Sequence, residues 1–174
     1  METNLSDPIG RFNRKMVLTP ESRQAALADI RDLPARLREA VAGLSDAQLD
    51  TPYRPGGWTV RQTVHHVADS HMNGFIRAKL GLTETLPTIK PYDQDGWVAQ
   101  PDAALPASVS LSLLEALHTR WSALYAGLPP EAFAREFVHP DQGAMTLDFH
   151  LHLYAWHGRH HCAHITGLRE REGW

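Results

Sequence analysis

Apolar residues recur at three- and four-residue intervals in four long stretches, and the polar residues between them mark where helices start and stop. Thr19-Pro20-Glu21 opens the first stretch, with Thr19 as N-cap and Pro20 at the first helical position. That helix is expected to reach about Leu44, with Pro34 kinking or interrupting it. Ser45 and Gln48 form a capping box for a short turn, and Thr59 with Gln62 forms another. The second box starts a helix to about Leu82, with Val60, Val64, Val67, His71 and Phe75 along its apolar stripe. Residues 84–106 carry four prolines and Gly96 with little periodicity, so a long functional or mobile loop is expected there.

A third helix begins at Ser108, with Leu111, Leu114, Trp121, Leu124 and Leu128 at helical spacing. Residues 129–145 read as irregular and end in Asp-Gln-Gly turn chemistry. Thr146 starts the last helix, which runs to roughly Arg171. There is no internal repeat and no convincing strand pair. An all-α four-helix bundle follows, with residues 1–174 as a single domain and long connecting loops.

Composition narrows the class of partner. The chain has 174 residues, 43% of them hydrophobic, and a formal net charge of −3 without any Lys/Arg block. That balance argues against nucleic acid or anionic lipid as the main partner, and a small-molecule substrate is the expected one. No apolar run approaches the roughly 20 residues of a membrane span. Met-Glu-Thr-Asn-Leu-Ser-Asp-Pro at the start lacks the positive charge and apolar run of a signal peptide. Cys162 is the only cysteine, which fits a reducing, cytoplasmic setting.

Histidine distribution changes the picture most. Nine of the 11 histidines fall within residues 56–71 and 150–164. Neutral imidazole is a common ligand for zinc, nickel and related ions. On a helix, residues four apart share a face, and both His157 with His161 and His160 with His164 have that spacing. His157 and His161 lie on the side that also holds Leu147, Tyr154, Ile165 and Leu168, which should face the bundle. His160 and His164 lie toward its edge, and His152 should point away. A third imidazole from another helix would leave a position open for water or substrate, as an enzyme needs, whereas a fourth protein ligand, His160 or His164, would close the site and make the chain a non-enzymatic metal-binding interaction module.

In the first cluster, His71 falls on the apolar stripe and reads as a satisfied core residue. His66 lies on the polar side with Ser70, Asn73 and Arg77, so periodicity does not select it as a ligand. Cys162 lies well around the last helix from His157 and reads as a buried structural thiol. Trp58, Trp121 and Trp156 read as core. Lys90, Tyr92 and Trp97 could form a lid, and Asp69 or Asp148 could orient a ligand histidine.

Three longer motifs carry a family resemblance: GGWTVRQTVHHVADSHMN from Gly56, PTIKPY from Pro87 and YAWHGRHHCAHI from Tyr154. With PIGRF at Pro8 and Leu-His-x-Arg-Trp at 117–121, the chain resembles the YfiT branch of the DinB-like metal-dependent enzymes over nearly its whole length. The resemblance implies a four-helix bundle, a homodimer and one divalent metal ion per chain, zinc first and nickel second. It implies ligands at His66, His157 and His161. Such enzymes are described as metal-dependent hydrolases, and the resemblance extends to bacillithiol-type S-transferases, which take a low-molecular-weight thiol as cosubstrate. A thiol bearing carboxylates and hydroxyls would need cations and amides near the metal, for which Asn73, Arg77, Lys90 and Arg159 stand as candidates, and Tyr92 joins Asn73, Arg77 and Lys90 as a substrate-binding candidate. No carboxylate is uniquely placed as a general base.

Overall fold

The computed structural model describes residues 4–174. Its four long helices are α1 (Pro20–Ala40), α3 (Val60–Thr83), α5 (Ala107–Ala126) and α6 (Leu147–Glu172), with short helices α2 (Asp46–Leu49) and α4 (Gln94–Val98) between them. The caps lie where the sequence puts them. Thr19, Ser45, Thr59 and Thr146 each accept a hydrogen bond from a backbone N–H of the first turn, and the first three complete capping boxes. Helices α1 and α3 each pack against both α5 and α6, so the bundle closes around two apolar regions. One centres on Trp121, Tyr125, Leu147 and Leu151, and the other on Leu37, Val60, Val64, Leu114 and Ile165.

Pro34 does not interrupt α1; the helix runs through it to Ala40. A proline at this position cannot donate to the carbonyl of Ile30, one turn earlier. That carbonyl instead accepts a hydrogen bond from Nδ1 of His118, a fully buried residue on α5. An imidazole from the neighbouring helix answers the acceptor that the ring leaves unpaired.

The segment expected to be irregular holds an antiparallel hairpin, β1 (Glu136–His139) with β2 (Gly143–Thr146), in the register Glu136↔Thr146 and His139↔Gly143. The expected 84–106 loop is also more ordered than the sequence suggests, containing α4 and a 3₁₀ turn at Pro101–Ala104. Its first part lies along the hairpin: Ile89 N–H donates to Val138 O, and Val138 N–H donates to Pro87 O. This pairing fixes the chain that carries Lys90 and Tyr92. Arg135 donates to the carbonyls of Gly81 and Glu84, holding the hairpin to the C-terminal end of α3.

Close approach of α3 and α6 depends on Gly74. A Cβ there would sit 2.5 Å from Cζ of Tyr154 and 2.8 Å from Cη2 of Trp121, both rings of the packed core. Gly74→Ala gains about 1 kcal/mol in helix propensity, but overpacking of rings that cannot retreat costs about 1–3 kcal/mol. Gly74→Val adds two methyl groups to the same clash. We expect Gly74→Val to lower the urea midpoint by the equivalent of about 3 kcal/mol. An unchanged or raised midpoint would show that α3 has room to move away from α6.

Candidate metal centre

Three imidazoles, one from α3 and two from α6, converge where these helices are held together. Nε2 of His157 lies 3.3 Å from Nε2 of His66 and 3.2 Å from Nε2 of His161. Among the described residues, these three form the one group of at least three His, Cys, Asp or Glu whose donor atoms all lie within 4.8 Å of one another. His66 is 1% exposed and His161 7%, whereas His157 keeps more contact with solvent. Burial pushes the His66 pKa down to about 4 and holds His157 and His161 well below the ordinary value. All three rings are therefore neutral at pH 7, which is the ligating form.

The donor set fits a divalent cation. Nitrogens on tetrahedral bonds of about 2.0 Å to one ion would stand about 3.3 Å apart, which matches the two shortest separations here. A neutral ring bonding through Nε2 carries its proton on Nδ1. For His157 that Nδ1 faces Nε2 of His71 at 3.2 Å, and for His161 it faces Nδ1 of His164 at 3.3 Å. Each α6 imidazole thus has a second histidine to receive its proton, in the manner of residues that fix a ligand's tautomer. Nδ1 of His66 is buried without a partner.

His71 is fully buried as expected, but it is not a satisfied core residue: its Nδ1 has no partner. His164 offers its nitrogens to His161 and to the carbonyl of Ser6, so it backs the centre rather than closing it. His160 stacks on Trp156, with ring centroids 4.4 Å apart. His152, expected to point away, is buried, and its Nδ1 donates to the carbonyl of Asp148. Asp148 forms a bidentate ion pair with Arg23, so it does not orient a ligand histidine.

Two cavities flank the three imidazoles, and His157 and Gln94 line both. One, of about 470 Å³, is walled by Trp58, His66, His161 and His164. The other, of about 440 Å³, is walled by Ser70, Arg77, Tyr92, Tyr154, His139 and His150. Arg77 is half-buried and donates to the carbonyl of Lys90. Tyr92 presents a hydroxyl whose pKa burial raises to about 12, so it stays protonated. Asn73 lines neither cavity, since its amide donates to the carbonyl of Asp69. The Lys90 ammonium lies outside both, and the exposed Arg159 pairs with Asp29.

Trp58 is a wall of the site rather than core. Its ring lies 4.4 Å from that of His66, and its Nε1 donates to Asp95 on α4. Only its place just before the Thr59 cap hinted at this. Trp121 is fully buried. Trp97 packs on Tyr92 at 4.5 Å, so it braces the cavity wall from outside. Cys162 packs into the second apolar region, and burial raises its thiol pKa to about 12, far from a ready nucleophile.

Comparison with known proteins agrees with this architecture. Residues 18–165 match the DinB superfamily. Relatives from Bacillus cereus strain AH820 and Bacillus anthracis, each named "Putative metal-dependent hydrolase", are 53% identical over 98% of this chain and 99% of their own. A solved structure of YfiT from Bacillus subtilis, described as a probable metal-dependent hydrolase with an unusual four-helix bundle topology, superposes with a TM-score of 0.95. It shares 49% identity, covering 98% of this chain and 99% of that one. With its bundle and its sequence both matched nearly end to end, the chain belongs to the DinB superfamily and is similar throughout to YfiT.

Proposed function

We propose that this chain is a metal-dependent enzyme in which His66, His157 and His161 hold one divalent ion, and that it acts on a small-molecule nucleophile. The observation that carries this reading is the convergence of three neutral imidazoles between two cavities, without a fourth His, Cys, Asp or Glu in the group among the described residues. An ion held there would supply Lewis acidity, lowering the pKa of a water or thiol admitted to its open position.

The surrounding side chains favour a low-molecular-weight thiol as the nucleophile. The carboxylates that line the cavities are Asp95, engaged by Trp58, and Asp141, whose side chain is 73% exposed. Neither is a sheltered base for activating water, a role that metal-assisted hydrolysis often recruits. Arg77, with the Tyr92 hydroxyl beside it, provides a cation and a donor for a carboxylate-bearing cosubstrate. In the transfer, the thiol gives its proton to solvent, its sulfur bonds to an electrophilic carbon, and the leaving group departs with the bonding pair. Hydrolysis is the second reading, favoured by the names of the relatives.

The test is turnover by zinc- or nickel-loaded protein of a panel of thiols with a halogenated electrophile, run beside ester and amide substrates. Thiol-dependent consumption of the electrophile is expected, with its loss in Arg77→Ala appearing mainly in the KM for acidic thiols. Ester or amide turnover with no thiol dependence would put hydrolysis first, and inertness in every arm would overturn the enzymatic reading.

A further inference from the structure

The two α6 imidazoles are backed differently, and the difference reaches the N-terminal segment. Behind His157 the chain of contacts ends inside the protein at the unpartnered Nδ1 of His71. Behind His161 it continues outward: His161 Nδ1 faces His164 Nδ1 at 3.3 Å, and His164 Nε2 faces the carbonyl of Ser6 at 3.2 Å. One proton arrangement satisfies every member. A carbonyl only accepts, so His164 carries its proton on Nε2, and its Nδ1 must then accept from Nδ1–H of His161. That leaves Nε2 of His161 with a free lone pair aimed at His157 and His66. His164 itself is held by stacking on Tyr53, at 4.0 Å between centroids, and is 4% exposed.

Ser6 belongs to residues 4–19, a described segment without helix or strand that precedes α1. This segment rims both cavities, Ser6 on one side and Phe12 and Arg14 on the other. Phe12 packs on Phe149 and Trp156 of α6, at 5.3 and 5.9 Å. The segment is a strap across the candidate site, and among the described residues its one hydrogen bond toward the three imidazoles runs through His164.

We infer that His164 is a positioning residue that fixes His161 in its metal-ligating tautomer and ties the N-terminal strap to the state of the metal centre. The inference rests on His161 being a ligand. Whatever polarises the His161 Nδ1–H strengthens both bonds in the relay, so ion binding and strap docking assist one another. By linkage the coupling is equal in both directions.

The test uses the full chain and zinc alone. Affinity is read by competition with a chromophoric chelator, and strap docking by the rate of tryptic cleavage after Arg11, Arg14 and Lys15, located by mass spectrometry. Zinc should slow these cleavages about tenfold in the wild type, since docking closes the segment to the protease. His164→Phe keeps a ring against Tyr53 but has no nitrogen. It should weaken zinc affinity about 10- to 100-fold and abolish the protection even at saturating zinc. His164→Asn places an amide oxygen near the Nδ1 position but is too short for Ser6. It should recover affinity to within about threefold while leaving the strap unprotected, and it also serves if the Phe variant fails to fold.

Zinc affinity of His164→Phe within twofold of wild type would overturn the positioning role. Equal zinc protection in wild type and His164→Phe, or none in wild type, would overturn the tie to the strap. Wild-type zinc binding that survives His161→Ala would instead overturn the ligand assignment, and this inference with it.

Discussion

Alanine at His157 or His161 will weaken divalent-metal binding by more than about 100-fold, the upper end of what loss of a mere supporting group costs. Wild type will bind about one ion per chain. The two positions share one helix face, and their Nε2 atoms stand 3.2 Å apart, so removing either leaves a pair of donors where three converged. Alanine at His66 should match them because its Nε2 completes the group from α3. His160→Ala should be much milder, since that ring stacks on Trp156 and is not among the converging donors. Isothermal titration with zinc and elemental analysis of dialysed protein measure both quantities. Full occupancy in the triple variant of His66, His157 and His161 would overturn the assignment. An equal loss in His160→Ala would mean that the other i, i+4 pair holds the ion.

The metal-free protein will lose stability steeply as pH falls from about 6.5 to 4. His118 and His150 show why, since neither belongs to the converging group. Burial pushes the pKa of His118 to about 4 and that of His150 to about 3, and each has an Nε2 without a partner. In the unfolded chain these residues titrate near 6.5. Between that pH and the folded values the unfolded state takes up protons that the native state refuses, so acid favours unfolding. Each such histidine contributes a slope of roughly 1.4 kcal/mol per pH unit, and His66 and His164, also pushed down to about 4, add to it. Against a typical stability of about 5–15 kcal/mol, unfolding should be complete by about pH 4. Circular dichroism melts of chelated protein from pH 7 to 4 give the measurement. A melting temperature constant between pH 7 and 5 would mean that these rings accept protons without opening the fold.

The sequence carried the bundle well because caps and stripes are local. Thr19, Ser45, Thr59 and Thr146 announce their helices whatever packs against them. The hairpin was not legible, because two strands of four residues are too short for an alternation to stand out. Much of their support comes from outside, through Pro87, Ile89 and the Arg135 anchor. The same distance effect governs the site. His157 and His161 could be paired by spacing on one helix, whereas His66 could not be chosen by periodicity. Its neighbours Ser70 and Arg77 look like a solvent face yet line a cavity. Trp58 and the backing roles of His71 and His164 depend on contacts between distant segments that no local pattern encodes.

The proline in α1 has a consequence for how the chain can vary. Pro34 leaves the Ile30 acceptor open, and His118, 88 residues beyond Ile30, supplies the missing proton. Positions 34 and 118 are therefore coupled through the Ile30 carbonyl. A residue with an amide hydrogen at 34 would fill the vacancy and free position 118 to become an ordinary apolar residue. Loss of the imidazole while the proline stays would strand a carbonyl in the core. The order of replacement matters, and the viable route changes the proline first.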